Sequence, residues 1–539
     1  MTSPRHVVVL LALALGVLIT RAPTAVCRAT DGPENRPNVV LIMADDMGYS
    51  DIGCYGGEIE TPNIDRLARG GLRFSQFYNA ALCGPTRTSL MTGLYNQQAG
   101  VRGWTGTLNN RCATLPELLG RAGYATYVVG RLDMVVADDW HEPANIARHV
   151  DRFFGSASNP DNLGPGNYFK MVTTGRLLHD GEVFDIAADA TFYKTDLITD
   201  YAVEFIEEAA AADKPFFLYA AHSAPHWPLH AKEKDIAKYR EMYAETGWDR
   251  LRTQRYRRLV EIGLIDQSWP LPPRDRRVPT WGKAKHKAWE AERMAVYAAQ
   301  VDCLDQNVGR LLDALRRAGV EQNTLVLFLS DNGASAQVWN RPLDRDGQTW
   351  RCDGTPTRVG NRPEIAPGGP DTFVTAGPAW ANVSNTPFRG YKAGCYEGGI
   401  ATPLVAYWPD VITQGNRITH QPGHIVDLMA TCLDLAGAEY PKRFQRRDLL
   451  PLVGKSLLPI LQGKTCEGHD ALCWNVSGSR AVRMGRWKLV APKGTAWELY
   501  DLEADRTETN DLASKHPERV EEMVQTYRDW AVLVKIAKQ

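Results

Sequence analysis

The chain has almost no net charge. Its 62 Lys and Arg stand against 63 Asp and Glu, a formal −1 over 539 residues. That balance excludes the basic footprint that nucleic acid or an anionic membrane surface requires. Past residue 29 there is no apolar run long enough to span a bilayer, which argues against stable membrane insertion. Pairs of the form C-x-x-C are missing, and a zinc ribbon is excluded with them. No internal repeat is visible.

What is present starts with a leader. Residues 1–29 read as a secretory signal: Arg5 and His6 form a weakly basic start, and residues 7–20 are an apolar run too short for a comfortable span. Cleavage after Ala25 or Ala29 is expected, leaving a secreted or periplasmic protein. Of the ten cysteines, Cys27 falls in this leader and Cys83 has a separate assignment. The other eight are Cys54, Cys112, Cys303, Cys352, Cys395, Cys432, Cys466 and Cys473. In an oxidising compartment they are candidates for bridges, with no pairing readable from the sequence.

Residues 39–43, 215–219 and 325–329 are continuous apolar runs, as expected of parallel strands buried on both faces. Amphipathic stretches such as 301–318 intervene, so the reading is an α/β domain around a large, mostly parallel sheet sandwiched by helices. Two parts break the rhythm. Residues 239–296 are basic and Trp-rich, and the charge run around Arg252 and Arg255 reads as a solvated helix face. Residues 335–386 are rich in Gly, Pro, Asp and Arg without periodicity, as functional loops often are. From about residue 441 the pattern becomes short strands near Trp487 and Trp497 and a closing helix over 517–534. The expected organisation is a catalytic domain over 36–440 and a small α+β subdomain with an antiparallel sheet over 441–539.

Several motifs carry chemistry. Cys83, Pro85, Arg87, Thr92 and Gly93 follow one another at fixed spacing. Pro85 suits the first turn of a helix and Gly93 its stop, which puts Cys83 at the positive end with Arg87 one turn along. A nucleophile there is arranged to meet an anion. Taken alone, the segment also fits a half-buried cysteine at an ordinary helix start. Two core strands end in oxygen-bearing residues, Asp45 and Asp46 after one, Asp331 and Asn332 after the other. At the carboxyl ends of neighbouring strands they would face one crevice and form a hard, all-oxygen site, suited to calcium or magnesium. Either pair alone is equally a turn after a strand. His222, His226 and His230 are spaced like a metal stripe, but Pro225 and Pro228 exclude a regular helix there.

The cysteine segment resembles the sulfatase signature C-x-P-x-R-x-x-x-x-T-G. Four further blocks resemble the same family in order: 38–51, 224–228 around His226, 323–333, and 392–399 beginning at Lys392, with a late one over 500–512. The likeness thus spans nearly all of residues 36–539. It implies an alkaline-phosphatase-like fold. It also implies that a dedicated maturation enzyme converts Cys83 to Cα-formylglycine, supported by Arg87. One calcium ion would be held by Asp45, Asp46, Asp331 and Asn332, and the sulfate group contacted by His226 and Lys392. On this reading one hydroxyl of the hydrated aldehyde attacks sulfur, and deprotonation of the other expels sulfate. The implied enzyme is an exported, arylsulfatase-like hydrolase of sulfate monoesters acting on a sulfated small molecule or glycan.

One block departs from the pattern. Where the family continues with Lys-Trp-His, this chain has Arg131, Leu132 and Asp133. Arg131 keeps the charge and is carried as a site residue, without the compact geometry of lysine. Asp133 puts a carboxylate where a histidine normally stands, and His141 and His149 in the following loop are candidate replacements. Asn475 also stands where one subgroup carries a histidine. The departure keeps two alternatives open: a phosphonate monoester or phosphodiester hydrolase of the same superfamily, and a non-catalytic binder of sulfated glycans. Trp350, Arg351 and Trp380 are candidates to stack on a sugar or aryl ring. Asn382 and Asn475 head glycosylation sequons.

Overall fold

A computed structural model describes residues 36–103, 105–132, 150–156, 168–169, 177–184, 192–339 and 356–536. Its centre is a mixed sheet in which five neighbouring strands run parallel, in the order Thr324–Ser330, Asn38–Ala44, Phe216–Ala221, Ala125–Arg131 and Arg152–Ser156. Ala401–Tyr407 joins antiparallel to Thr324–Ser330, and Leu72–Tyr78 pairs antiparallel to it in turn. Leu177–His179 and Glu182–Phe184 finish the opposite edge.

Every residue of Asn38–Ala44 and of Thr324–Ser330 is buried, and the sheet shows why runs rather than alternation encode these strands. Val40 and Ile42 face one apolar layer with Val326, Phe328 and Leu218, while Val39, Leu41 and Met43 face the other with Leu325, Leu327 and Phe217. Helices cover both layers. Lys194–Ala211 and Lys287–Arg317 pack on the first, burying Phe205, Leu304 and Val308. Cys83–Thr92, Leu115–Arg121 and Asp427–Leu435 pack on the second, burying Leu90, Leu118 and Met429. Each such side chain contributes roughly 1.5–3 kcal/mol by leaving water. The helix expected over 301–318 is longer, because its apolar face extends back through Met294 and Ala298.

Near the C-terminus, Leu472–Val476, Ser479–Met484, Trp487–Ala491 and Glu498–Asp501 form a four-stranded antiparallel sheet. Helix Pro517–Leu533 closes over it, burying Met523 and Trp530 against Leu489 and Leu499. A buried charge cluster joins this sheet to the large one. Lys488 Nζ lies 2.8 Å from both Glu397 Oε1 and Glu508 Oε1, and Arg506 donates to Glu397 Oε2 at 2.9 Å.

Four sequence expectations change. The charge run of helix Arg240–Glu261 is not simply a solvated face: Arg255 is fully buried, bonded to Asp51 at 2.6 Å and to Glu58 at 2.7 Å, and Arg252 is buried as well. Segment 335–386 is not structureless, since Arg358–Val359 pairs with Thr372–Phe373 and Gly377–Ser384 is helical. Trp380 lies in that helix with no exposure, 5.5 Å from the Trp248 ring and bonded to Glu290 O, so it packs and does not stack on a ligand. Trp350 and Arg351 lie outside the described residues. Among the described residues all cysteines are free thiols, so the candidate bridges are not formed among them, and Cys352 lies outside them. Of the sequons, Asn382 is buried and Asn475 donates to Tyr527 Oη at 2.6 Å.

Candidate active site

Strand register builds the site. Ala44 is paired with Ser330, so Asp45 and Asp331 leave the sheet side by side from adjacent parallel strands. Asp46 then adopts a left-handed backbone (φ 63°), turning the chain so that its N–H donates to Asp331 Oδ1 at 3.2 Å. Aspartate tolerates this conformation better than most residues. Asn332 Nδ2 reaches back to Asp46 Oδ1 at 2.6 Å. The four oxygen-bearing residues therefore meet at the carboxyl ends of their strands, in the crevice where an open α/β sheet collects ligands.

Cys83 is the first residue of helix Cys83–Thr92, which stops at Gly93 in the left-handed conformation (φ 64°), as the spacing of Pro85 and Gly93 predicts. Arg87, one turn along, is wholly buried. It grips Asp331 Oδ2 with Nη2 at 2.8 Å and Nε at 3.1 Å, and lies 3.2 Å from Asp45 Oδ2. Its action on the site is therefore through these carboxylates. Arg131, the last residue of its strand, forms an ion pair with Asp45 Oδ2 and places Nη2 3.7 Å from Cys83 Sγ. Lys392 reaches Asp46 Oδ1 at 2.6 Å from a segment tied to the cysteine loop by the Ala393 N–H to Ala81 O bond.

His226 stands in the loop after Phe216–Ala221, with Nε2 3.4 Å from Asp46 Oδ2. Its Nδ1 lies 2.6 Å from Trp227 O, and because a carbonyl only accepts, Nδ1 carries the proton and Nε2 presents its lone pair. His222 and His230 are buried elsewhere, so the three histidines form no stripe. Asp45, Asp46, Cys83, Arg87, Arg131, His226, Asp331, Asn332 and Lys392 come together, while Asp133, His141 and His149 lie outside the described residues.

Burial shapes the electrostatics. It would raise Asp45, but Arg131, His226, Arg87 and Lys392 hold that carboxyl well below its usual range. Asp331 is pushed up by burial and by Asp45 beside it, against the pull of Arg87. Burial draws His226 down to about 4, which keeps it neutral. Burial works against the charge of Lys392 too, yet Asp46 and the neighbouring thiol and carboxylates hold it above the ordinary lysine value.

The residues present fit a cation. Asp45 Oδ1 and Asn332 Oδ1 are buried without a hydrogen-bond partner, and Asp46 Oδ2 faces only the His226 ring nitrogen. An orphaned buried oxygen costs about 1–3 kcal/mol, which a hard cation would offset. Ligand atoms of Asp45, Asp46 and His226 lie within 4.8 Å of one another. Asp331 differs from the other three, because both its oxygens already accept protein N–H groups.

Three supports escaped the sequence reading. Asp51 accepts from Gly48 N, Tyr297 Oη and Arg255, holding the turn that carries Asp45 and Asp46. Tyr168 donates to Ser223 O and His226 O, bracing the histidine loop. Asn385 accepts from Ala334 N and donates to Gly390 O, joining the Asn332 turn to the Lys392 segment. Only Asp51 left a signal, as the last residue of the first motif.

Residues 37–438 match the family model described as Sulfatase, and residues 391–530 match N-sulphoglucosamine sulphohydrolase, C-terminal. The chain is 32% identical to an uncharacterized sulfatase of Schizosaccharomyces pombe over 91% of its own length and 92% of the relative's. It is 32% identical to an arylsulfatase of Klebsiella aerogenes, covering 80% of this chain and 93% of that one. Against N-acetylgalactosamine-6-sulfatase of Mus musculus it is 29% identical over 82% of this chain and 69% of that one. Among solved structures, Ps i-CgsB in complex with k-i-k-neocarrahexaose superposes with a TM-score of 0.66 at 25% identity, covering 92% of each chain.

Proposed function

The chain belongs to the sulfatase family, within the alkaline-phosphatase-like superfamily, and is a sulfuric ester hydrolase; from that premise we propose that it is a calcium-dependent, exported enzyme cleaving sulfate monoesters of aryl or carbohydrate substrates through a formylglycine at position 83. The observation that carries this reading is the convergence of Cys83, Arg131, Lys392 and His226 on one buried cluster of acids. The signal-like residues 1–29 support export. No helix among the described residues is long and apolar enough to cross a membrane.

Calcium held by Asp45, Asp46, Asp331 and Asn332 would withdraw charge from the sulfate oxygens and support the nucleophile derived from Cys83. The chain's own groups account for the rest. Arg131 and Lys392 set fixed cationic N–H donors where the sulfate would lie. In a buried site such pre-oriented donors stabilise negative charge far better than water does. Arg87 keeps Asp45 and Asp331 together against their mutual repulsion. Neutral His226 offers Nε2 as a proton acceptor or a ligand. A sulfated sugar is the favoured substrate class, because the relatives include an N-acetylgalactosamine-6-sulfatase and a neighbour bound to a carbohydrate.

The test is sulfate release from aryl and sugar sulfates, beside matched phosphonate esters, by protein whose residue 83 has been identified by mass spectrometry. Calcium-dependent sulfate release that disappears in Cys83→Ala supports the reading. Turnover of phosphonates alone, or none at all from matured protein, refutes it.

A further inference from the structure

A cavity of about 720 Å³ is walled by Arg274, Arg276, Arg277, Arg389, Tyr391 and Tyr396, and Tyr391 directly precedes Lys392 of the site. Its inner wall is the segment that leads into Lys392, whose Nζ meets Asp46 at 2.6 Å. The same wall is pinned to the Asn332 turn, because Asn385 bonds both Gly390 O, at 3.0 Å, and Ala334 N, at 2.9 Å. Cavity and acid cluster are thus held in fixed relation by one short stretch of chain.

The charges in this cavity do not cancel. Asp275 is paired with Arg277 at 2.7 Å, Arg274 with Asp249 at 2.5 Å, and the cavity's Glu508 with Lys488 at 2.8 Å. One arginine is left over. Arg276 is exposed and has no carboxylate partner among the described residues. Arg389 is half-buried, stacked 4.1 Å from the Tyr396 ring centroid, and donates Nη1 to Glu508 O at 2.7 Å and to Tyr500 Oη at 3.4 Å. Its Nε and Nη2 donate to no described residue, but its charge is balanced by Glu508 and by Glu498, which accepts from both Tyr396 and Tyr500. Guanidinium planes held on rings keep their edge N–H groups free for the oxygens of a planar or tetrahedral anion.

We propose that this cavity is a second anion subsite, taking a sulfate or carboxylate carried elsewhere on the molecule whose sulfate ester is cleaved. The inference rests on the sulfatase reading and narrows it: the favoured substrates are carbohydrates bearing more than one anionic group. The subsite binds the distal charge mainly in the ground state, so it acts through KM.

The experiment compares a disaccharide with one sulfate on its non-reducing ring with the same sugar carrying a second sulfate, or a carboxylate, on the adjoining ring. In the wild-type enzyme kcat/KM favours the dianionic sugars, through KM, and the stronger preference identifies the anion. Arg276→Glu lowers that preference by about tenfold, as expected for turning a charged contact into a repulsive one. Equal kcat/KM for all three sugars, or a preference untouched by Arg276→Glu, overturns the proposal. Calorimetric binding of the same sugars to Cys83→Ala keeps the two readings apart. Arg276-dependent preference in binding, without sulfate release by matured wild type, leaves the subsite standing and removes the hydrolase reading.

Discussion

Arg131 occupies the block where this chain departs from its family, and replacing it by alanine tests whether the departure is functional. In the structure it is 6% exposed, ion-paired with Asp45 and 3.7 Å from Cys83 Sγ. Breaking a buried pair by removing one partner costs about 3–5 kcal/mol. Arg87 remains 3.2 Å from Asp45, so the lower end, about 3 kcal/mol, is expected in metal-free protein. During turnover the variant also lacks one fixed donor to the sulfate, an effect of roughly 100- to 1000-fold in kcat. Arg131→Lys restores charge without the fork, and about a tenfold deficit is expected to remain. The assay is steady-state hydrolysis of an aryl sulfate, with formylglycine content verified for each variant and chemical denaturation run in parallel. If Arg131→Ala kept kcat within about threefold of wild type, the assignment of Arg131 to the site would be wrong.

Other consequences follow from burial. His222 and His424 are drawn down to about 4 and about 3 by loss of hydration, with His469 adding to the shift at His424. Unfolded histidine titrates near 6.5, so the unfolded chain binds the extra protons. The stability these groups supply is complete above about pH 6.5 and drains away as pH falls through 4, by about 3 kcal/mol for His222. Denaturant midpoints should drop across that window, and His222→Leu should flatten the slope; an unaltered slope sinks the argument. Gly333 approaches the Gly398 carbonyl so closely that an added Cβ would lie 1.8 Å from its oxygen. Gly333→Ala should therefore displace Asn332 and lower both melting temperature and activity, whereas a fully active variant would contradict the packing. Calcium at 100 times its Kd should stabilise the chelated protein by about 2.7 kcal/mol, read as a melting shift that Asp45→Ala abolishes. A chelator that changes neither melting nor turnover would exclude the ion.

The fold was legible where physical constraint acts locally. A strand buried on both faces must be apolar throughout, so the runs at 39–43 and 325–329 stood out, and the acids after them marked the carboxyl edge. Pro85 and Gly93 delimited the Cys83 helix because each suits one end of a helix backbone. The reading failed where the deciding partner is distant. Arg255 looked solvated within its charge run, yet Asp51, 204 positions away, pairs with it. Trp380 looked available to a ligand until Trp248 and Tyr243 were seen to enclose it.

By itself the sequence marked Cys83 and the acid pairs through the spacings that strands and helix ends impose, while His226 and Lys392 were assigned through the resemblance to the sulfatase blocks. Tertiary structure alone decided which carboxylate meets which cation. Asp46 and Asn332 touch across 286 positions because Ala44 and Ser330 are in register. Register is set by the packing of two whole strands, and the cost of burying charge then selects the partners.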